Sequence, residues 1–167
     1  MNFFSSNTPF WRPLGLMIFL LLGNTVYANE IPNFNLNDPM PLSDLSSLHW
    51  ADDSLTATPS LAKAKMLTGE LITGLFTVPL KKAHHWFAFT LSNPTDRAIS
   101  PSIFVRHAYP NQVNLHYQQQ GQWISLYNGT DVAIKQRQVN KLPPVFNVAI
   151  DAGQSQTFYL EMHSKIK

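Results

Sequence analysis

The sequence predicts an all-β fold, an antiparallel sandwich or barrel, on the strength of three observations. From about residue 61 onward, apolar and polar residues alternate with a period of two, which is typical of strands that bury one face. Turn-forming pairs separate these runs at short intervals. Only 13% of the 167 residues are charged, about half the usual share, and this disfavours a coiled coil, a solvated helix bundle and a nucleic-acid binder.

Seven runs of alternating residues are the predicted strands. The first of them is weakened by Gly74 and closed by Pro79, because glycine and proline interrupt strands. Asn93-Pro94 ends the second run, and pairs such as Gln120-Gly121 and Asn128-Gly129 follow later ones. In chain order the runs are 71–78, 86–91, 103–107, 113–117, 122–127, 145–150 and 157–162.

Side-chain phase within these runs separates core positions from a second face. Four phenylalanines in the apolar phase are predicted core residues, namely Phe87, Phe89, Phe146 and Phe158. Trp86 and Tyr159 are out of phase with them. Both are therefore predicted on the second face, where an exposed ring can stack on a sugar ring or a peptide side chain.

A hairpin around Tyr109-Pro110 is consistent with the phase of its two flanking runs. In that hairpin Ile103, Val105, Val113 and Leu115 share one face, since opposed residues point the same way. In a jelly roll, however, successive strands can instead cross to the opposite sheet. The hairpin places three polar side chains on the second face. Together with the two out-of-phase rings they form the predicted ligand-binding set Trp86, Arg106, Asn114, His116 and Tyr159.

The first 28 residues are predicted to be a secretory signal peptide. An uncharged apolar run over residues 14–22 follows Arg12, and the small residues Val26 and Ala28 stand at the −3 and −1 positions of a cleavage site after Ala28. A transmembrane anchor is the alternative, but the run spans only about half of a ~30 Å hydrocarbon core. The chain is thus predicted to be exported to the periplasm.

Residues 29–60 are predicted to be an extended acidic lead-in with at most one short turn of helix. The segment carries five acidic residues and no Lys or Arg, together with four prolines. The predicted sandwich covers residues 45–165 and so overlaps the end of this segment.

Several kinds of chemistry have no support in the sequence. The absence of cysteine excludes disulfides, cysteine-bound zinc, iron–sulfur clusters and thiol catalysis. No catalytic motif occurs. His84 and His85 are adjacent, so on a strand they point to opposite faces and do not easily bind one metal ion. The sequence therefore predicts no metal site, no cofactor and no enzymatic activity.

Five blocks of the sequence resemble a known family in content and order. Residues 86–94, 103–110, 113–117, 144–153 and 157–163, with a hairpin at Gly121 and the turn segment 128–131 between the third and fourth of them, are similar to the type 2 extracellular domain of seven-transmembrane receptors with diverse intracellular signalling modules. The resemblance covers about residues 45–165. Asn111-Gln112 stand where the family commonly has leucine and aspartate, so the role of that acidic residue does not carry over.

The resemblance implies a periplasmic jelly-roll β-sandwich, similar to carbohydrate-binding modules, that acts as a sensory input domain. Such domains precede seven membrane helices and a cytoplasmic diguanylate cyclase or histidine kinase. The implied partners are a small molecule, with a carbohydrate as one option, or a periplasmic protein, and a membrane module C-terminal to Lys167.

Two other function classes remain open at this point. One is a free-standing exported carbohydrate-binding or adhesion module, and the other is a periplasmic enzyme. Seven hydrophobic segments encoded in frame beyond Lys167 would favour the receptor, whereas an immediate stop codon would favour a free-standing protein. An enzyme would have to turn over a substrate.

Overall fold

A computed structural model of the chain describes residues 29–37, 46–52, 58–73, 84–105, 111–141 and 143–163. The predicted signal peptide, residues 1–28, and the predicted site residue Arg106 lie outside these ranges. None of the helices in the ranges is long and apolar enough to cross a membrane.

Strands dominate the described ranges, which confirms the all-β antiparallel prediction. One α-helix lies between the second and third strands. The elements are β1 (Asn33–Asn35), β2 (Ser46–Asp52), α1 (Pro59–Met66), β3 (Glu70–Thr73), β4 (His84–Ser92), β5 (Ser102–Phe104), β6 (Gln112–Gln119), β7 (Gln122–Asn128), a 3-10 helix (Ile134–Gln136), β8 (Val145–Asn147) and β9 (Ser155–His163).

Seven of these strands form one sheet in the order β3-β2-β4-β9-β6-β7, with β1 paired alongside the end of β4. The β1–β4 pair is parallel, and every other strand pair in this sheet is antiparallel. β5 and β8 pair with each other in a separate two-stranded sheet. The arrangement agrees with a sandwich, while the jelly-roll connectivity and the likeness to carbohydrate-binding modules stay predictions.

The main core lies between one face of the large sheet and the β5–β8 layer. Its side chains alternate along β4, β6 and β9, as expected when a strand buries one face. Phe87, Phe146 and Phe158 are buried there and Phe89 packs against them, so the predicted core phenylalanines are confirmed. The other buried members are Leu91, Val105, Val113, Leu115, Val148, Ile150, Leu160 and Met162.

A second, smaller core lies on the opposite face of the sheet, under α1. The helix begins where Thr58 Oγ1 accepts a hydrogen bond from the Leu61 N–H at 3.2 Å, and Pro59 suits a first helical position because its missing N–H has no helical partner there. Ala62 and Met66, one turn apart, are buried against the sheet. The sheet residues of this cluster are Leu48, Trp86, Ala88 and Tyr159.

The prediction for residues 29–60 is wrong in part, because this segment supplies two strands and the start of α1. β2 is an inner strand between β3 and β4. Leu48 and Trp50 of this strand face α1. This alternation covers only a few residues and follows a stretch that contains prolines, so the sequence does not predict a strand here. The period-two interpretation from residue 61 is likewise wrong over 61–66, where a capped run of good helix formers gives α1.

The predicted hairpin between the strands at 103–107 and 113–117 is also wrong. Ile103 pairs with Phe146 of β8, and both edges of β6 are occupied by β7 and β9. The chain crosses between layers here, as the jelly-roll alternative allowed. The predicted faces of β6 are nevertheless confirmed, because Val113 and Leu115 are in the main core while Asn114 and His116 point the other way.

The β6–β7 hairpin turns at Gln120-Gly121, as predicted. Gln120 and Gly121 have φ angles of 50° and 79°, the left-handed pair that suits a two-residue hairpin turn. A different glycine is more constrained. Gly129 has a φ of 121°, and an added Cβ would lie 2.5 Å from the backbone oxygen of Asn111.

Gly129→Ala is therefore expected to lower the free energy of unfolding by about 1–3 kcal/mol, because alanine is strained at this φ and its Cβ meets rigid backbone. Urea unfolding measures the loss. Gly121→Ala is the matched control, since its φ is also positive but nothing lies within 4 Å of the added Cβ. Equal losses in the two variants would contradict the close contact at Gly129.

Candidate functional site

The order of β4, β9 and β6 in the sheet brings polar side chains from distant parts of the chain onto one face. Residues directly opposite each other on paired strands share a face. Trp86 lies opposite Glu161, which in turn lies opposite Asn114. One step along the sheet, Tyr159 lies opposite His116. This is the face that α1 partly covers.

A carboxylate is the centre of this group. Glu161 Oε1 lies 2.7 Å from His84 Nδ1, and Glu161 Oε2 accepts a hydrogen bond from Asn114 Nδ2 at 2.7 Å. His116 Nε2 is 3.4 Å from the same Oε2, and His116 Nδ1 is 2.8 Å from Ser125 Oγ on β7. These five residues are called the Glu161 network below.

The Glu161 side chain is ionised at neutral pH although only 12% of it is exposed. Burial by itself raises the pKa of this carboxyl group. Hydrogen bonds from His116, Asn114 and His84 outweigh burial and lower the pKa from 4.5 to about 2. An ionised carboxylate only accepts hydrogen bonds, so His84 Nδ1 carries the proton of their shared bond.

Two polar atoms of this face are buried and lack a hydrogen-bond partner within the described ranges. They are His84 Nε2, in the Glu161 network, and Trp86 Nε1, beside it. Trp86 is fully buried, and its ring centre lies 5.3 Å from that of His116. Buried polar groups normally have a partner, so these two atoms set this face apart.

Tyr159 and Trp123 form the wall of the site nearest α1. Their rings meet edge to face with centres 5.6 Å apart, and burial raises the pKa of Tyr159. Trp123 Nε1 donates to Ser60 Oγ of α1 at 2.8 Å. Lys63 Nζ of the same helix donates to Gln118 Oε1 at 3.0 Å. Both hydrogen bonds are exposed, so the helix is tied to β6 and β7 by contacts that water can replace.

The structure brings together four of the five predicted site residues. Asn114 and His116 are part of the Glu161 network, and Trp86 and Tyr159 are beside it. The expectation that the two rings are exposed is wrong, because α1 and the half-buried Trp50 and Trp123 pack over them. Arg106 lies outside the described residues.

Glu161, His84 and Ser125 are not among the site residues predicted from the sequence. The phase of 157–162 does put Glu161 on the same face as Tyr159, and a charged residue facing the same way as a large ring inside a strand is a usable signal. Its partners could not be found in the same way, because His84 and Asn114 are separated from Glu161 by 77 and 47 positions in the chain.

The order hydroxyl, imidazole, carboxylate in Ser125, His116 and Glu161 is that of a hydrolytic triad. The distances do not match those of a triad, because His116 Nε2 lies 3.4 Å from Glu161 Oε2, which is long for a hydrogen bond. The shorter hydrogen bonds of that carboxylate go to His84 and Asn114 instead. The network therefore fits binding better than nucleophilic catalysis.

The other face of β4 carries a different histidine contact. His85 Nδ1 is 3.1 Å from His49 Nε2 on β2, whereas His84 contacts Glu161 on the network face. The prediction that His84 and His85 point to opposite faces is thus confirmed. In the part of the chain that the structure describes, no group of three or more His, Asp or Glu residues is arranged to hold a metal ion.

Comparison with known proteins identifies the family. A family model described as 7TMR-DISM extracellular 2 matches residues 62–167, which is more than half of the chain and includes the C-terminal part of α1, from Ala62, with all strands from β3 to β9. A comparison with curated proteins gives no match. The chain therefore belongs to the 7TMR-DISM extracellular 2 family, whose members are extracellular sensor domains of membrane receptors and are generally non-catalytic.

Proposed function

We propose that the chain is the ligand-sensing input domain of a membrane signalling receptor and that the ligand binds on the face of the Glu161 network. The predicted signal peptide, cleaved after Ala28, would deliver the domain to the periplasm. The domain itself carries out no reaction, and the output is a cytoplasmic diguanylate cyclase or histidine kinase attached through the membrane module.

One observation carries the choice of site. Trp86 Nε1 and His84 Nε2 are buried beside an ionised carboxylate without partners in the described ranges. Leaving such an atom unpaired costs about 1–3 kcal/mol. A small polar ligand that accepts a hydrogen bond from the indole N–H and forms another with the imidazole removes that cost. This gain in free energy favours binding at this site.

Access to this face depends on α1. The helix spans eight residues, and helices this short owe their stability to packing. It packs through Ala62 and Met66, and its exposed hydrogen bonds from Lys63 and to Ser60 are replaceable by water. We expect α1 to shift when the ligand enters and to close over it afterwards.

The position of Glu161 also suggests how occupancy is transmitted. β9 ends at His163, two residues after Glu161, and β9 is held between β4 and β6. In the family the membrane module follows this domain. A ligand that hydrogen-bonds to His84 or Trp86 changes the contacts of Glu161. It thereby acts on the last residues of β9, the strand that leads toward the membrane module.

A thermal-shift screen of the exported protein against sugars, amino acids and carboxylates tests the proposal. A ligand that binds only the folded state raises the melting temperature. Trp86→Phe keeps the apolar bulk of the ring but removes the N–H, so it should abolish most of the shift, whereas Phe104→Leu on the exposed side of β5 should leave it intact. A library without any stabilising compound would overturn small-molecule sensing.

A different observation distinguishes the receptor domain from the alternative, a free-standing carbohydrate-binding or adhesion module. The coding sequence beyond Lys167 either continues into seven hydrophobic segments, as the receptor requires, or stops. A stabilising sugar together with an immediate stop codon would favour the alternative.

A further inference from the structure

Five of the six histidines of the chain lie in the described ranges, and four of these occupy neighbouring positions at one end of the large sheet. His84 and His85 begin β4, His163 ends β9, and His49 lies on β2. They form two imidazole pairs on opposite faces. The His84 and His163 rings are stacked with centres 4.4 Å apart, and the His49 and His85 rings are stacked with centres 5.4 Å apart.

The hydrogen bond between His49 Nε2 and His85 Nδ1 limits how many protons that pair can hold. At 3.1 Å one nitrogen donates and the other offers its lone pair. When both rings are protonated, two N–H groups face each other and the bond is lost.

The charged groups around the two pairs differ between the faces. On the network face, Glu161 contacts His84. Across from His163, β6 presents the neutral Gln112. The third histidine of that face, His116, also contacts Glu161.

On the other face, Glu70 of β3 lies opposite His49 and the apolar Met162 of β9 lies opposite His85. Burial lowers the pKa of His49, and the attraction of Glu70 offsets this only in part. A lowered folded-state pKa means that the unfolded chain takes up the proton first. The stability contributed by neutral His49 is therefore present above its unfolded pKa and is lost as the pH falls through the folded one.

We infer that this end of the sheet is an acid-sensitive switch, in which protonation of the His49–His85 pair loosens the start of β4 from β2. The start of β4 also carries His84, which contacts Glu161 of β9. Mild acid is then a second input to the same domain, beside the small-molecule ligand. This use of the switch rests on the proposed function, whereas the switch itself is a property of the folded domain.

Urea unfolding of the exported chain between pH 7.5 and pH 5.0 tests the inference. As the pH falls, the unfolding equilibrium constant is expected to rise by up to about tenfold per pH unit for each proton that the folded His49–His85 pair excludes. His49→Gln and His85→Gln each leave one imidazole without its like-charged neighbour, so each should reduce the slope. Leu67→His is the matched control, because it adds an exposed imidazole away from the pairs and should not change the slope. Unchanged slopes in both pair variants would overturn the inference.

Amide spectra of the wild-type chain give a local readout that does not depend on the variants folding. Between pH 7.5 and pH 5.5, shifts or broadening are expected over residues 49–51 and 84–86, while the opposite end of β4, at Ser92, stays unchanged. Equal changes at both ends would contradict a local switch. A failed ligand screen together with the expected pH dependence supports the switch and overturns ligand sensing. A stabilising ligand without the pH dependence does the reverse.

Discussion

Trp86→Ala is expected to lower the free energy of unfolding by about 3–5 kcal/mol. Trp86 is fully buried between Leu48, Ala88, Tyr159 and the helix α1. Truncation removes a large apolar surface and leaves a cavity that the flat sheet on one side cannot fill. Urea unfolding followed by circular dichroism measures the loss, with a shift of the midpoint at unchanged slope as the signature of a stability effect.

Two further variants make this prediction specific. Trp86→Phe should cost much less than Trp86→Ala, because it keeps most of the ring volume and removes an N–H that has no partner in the described ranges. Phe104→Ala should change stability by less than about 0.5 kcal/mol, since Phe104 is 64% exposed. A loss in Trp86→Ala as small as that in Phe104→Ala would show that the ring is not in the second core.

Glu161→Gln is expected to lower the free energy of unfolding by about 2–4 kcal/mol at neutral pH. Hydrogen bonds to a charged group are worth about 1.5–3 kcal/mol each, and the carboxylate holds His84 and Asn114 at 2.7 Å. The amide of the variant accepts hydrogen bonds only through its oxygen. Its NH₂ group therefore faces either His84 or Asn114, both of which donate to the carboxylate in the wild type. Parallel urea titrations of the variant and the wild type measure the difference.

The pH dependence of that loss follows from the direction of the pKa shift. Because the pKa of Glu161 is lowered from 4.5 to about 2 in the folded state, the ionised carboxylate stabilises the domain above about pH 4.5. This stabilisation is lost as the pH falls toward 2. The gap between wild type and Glu161→Gln should therefore close over that window.

Glu30→Gln is the matched control for this pH dependence, because Glu30 is an exposed carboxyl group. It should differ from the wild type by less than about 0.5 kcal/mol at neutral pH. A Glu161→Gln variant that tracks Glu30→Gln from pH 7 to pH 2 would contradict the network.

The faces of the central strands follow from the sequence alone because side-chain alternation is local. Phe87 and Phe158 are in phase with the core, and Trp86 and Tyr159 are out of phase, as predicted. The turn at Gln120-Gly121 is equally local. Each of these inferences needs only a few consecutive residues.

Strand order and the helix could not be obtained in that way. β9 lies between β4 and β6 because of pairings across dozens of residues, and only that order places His84 and Asn114 on Glu161. The burial of Trp86 depends on α1, whose eight residues follow a cap signal at Thr58 but carry no long periodic pattern. The sequence thus predicts correctly that Trp86 and Tyr159 lie on the second face of the sheet. The prediction that their rings are exposed there is wrong.

Mapping the bound ligand by NMR tests whether it binds on the face of the Glu161 network. A ¹⁵N-labelled sample of the chain is titrated with the compound that raises its melting temperature. The largest shifts are expected at the Trp86 indole N–H, at Asn114 and His116, and at Glu161, with smaller ones along α1. Shifts confined to exposed residues away from this face, such as Phe104 and Ile134, would contradict it.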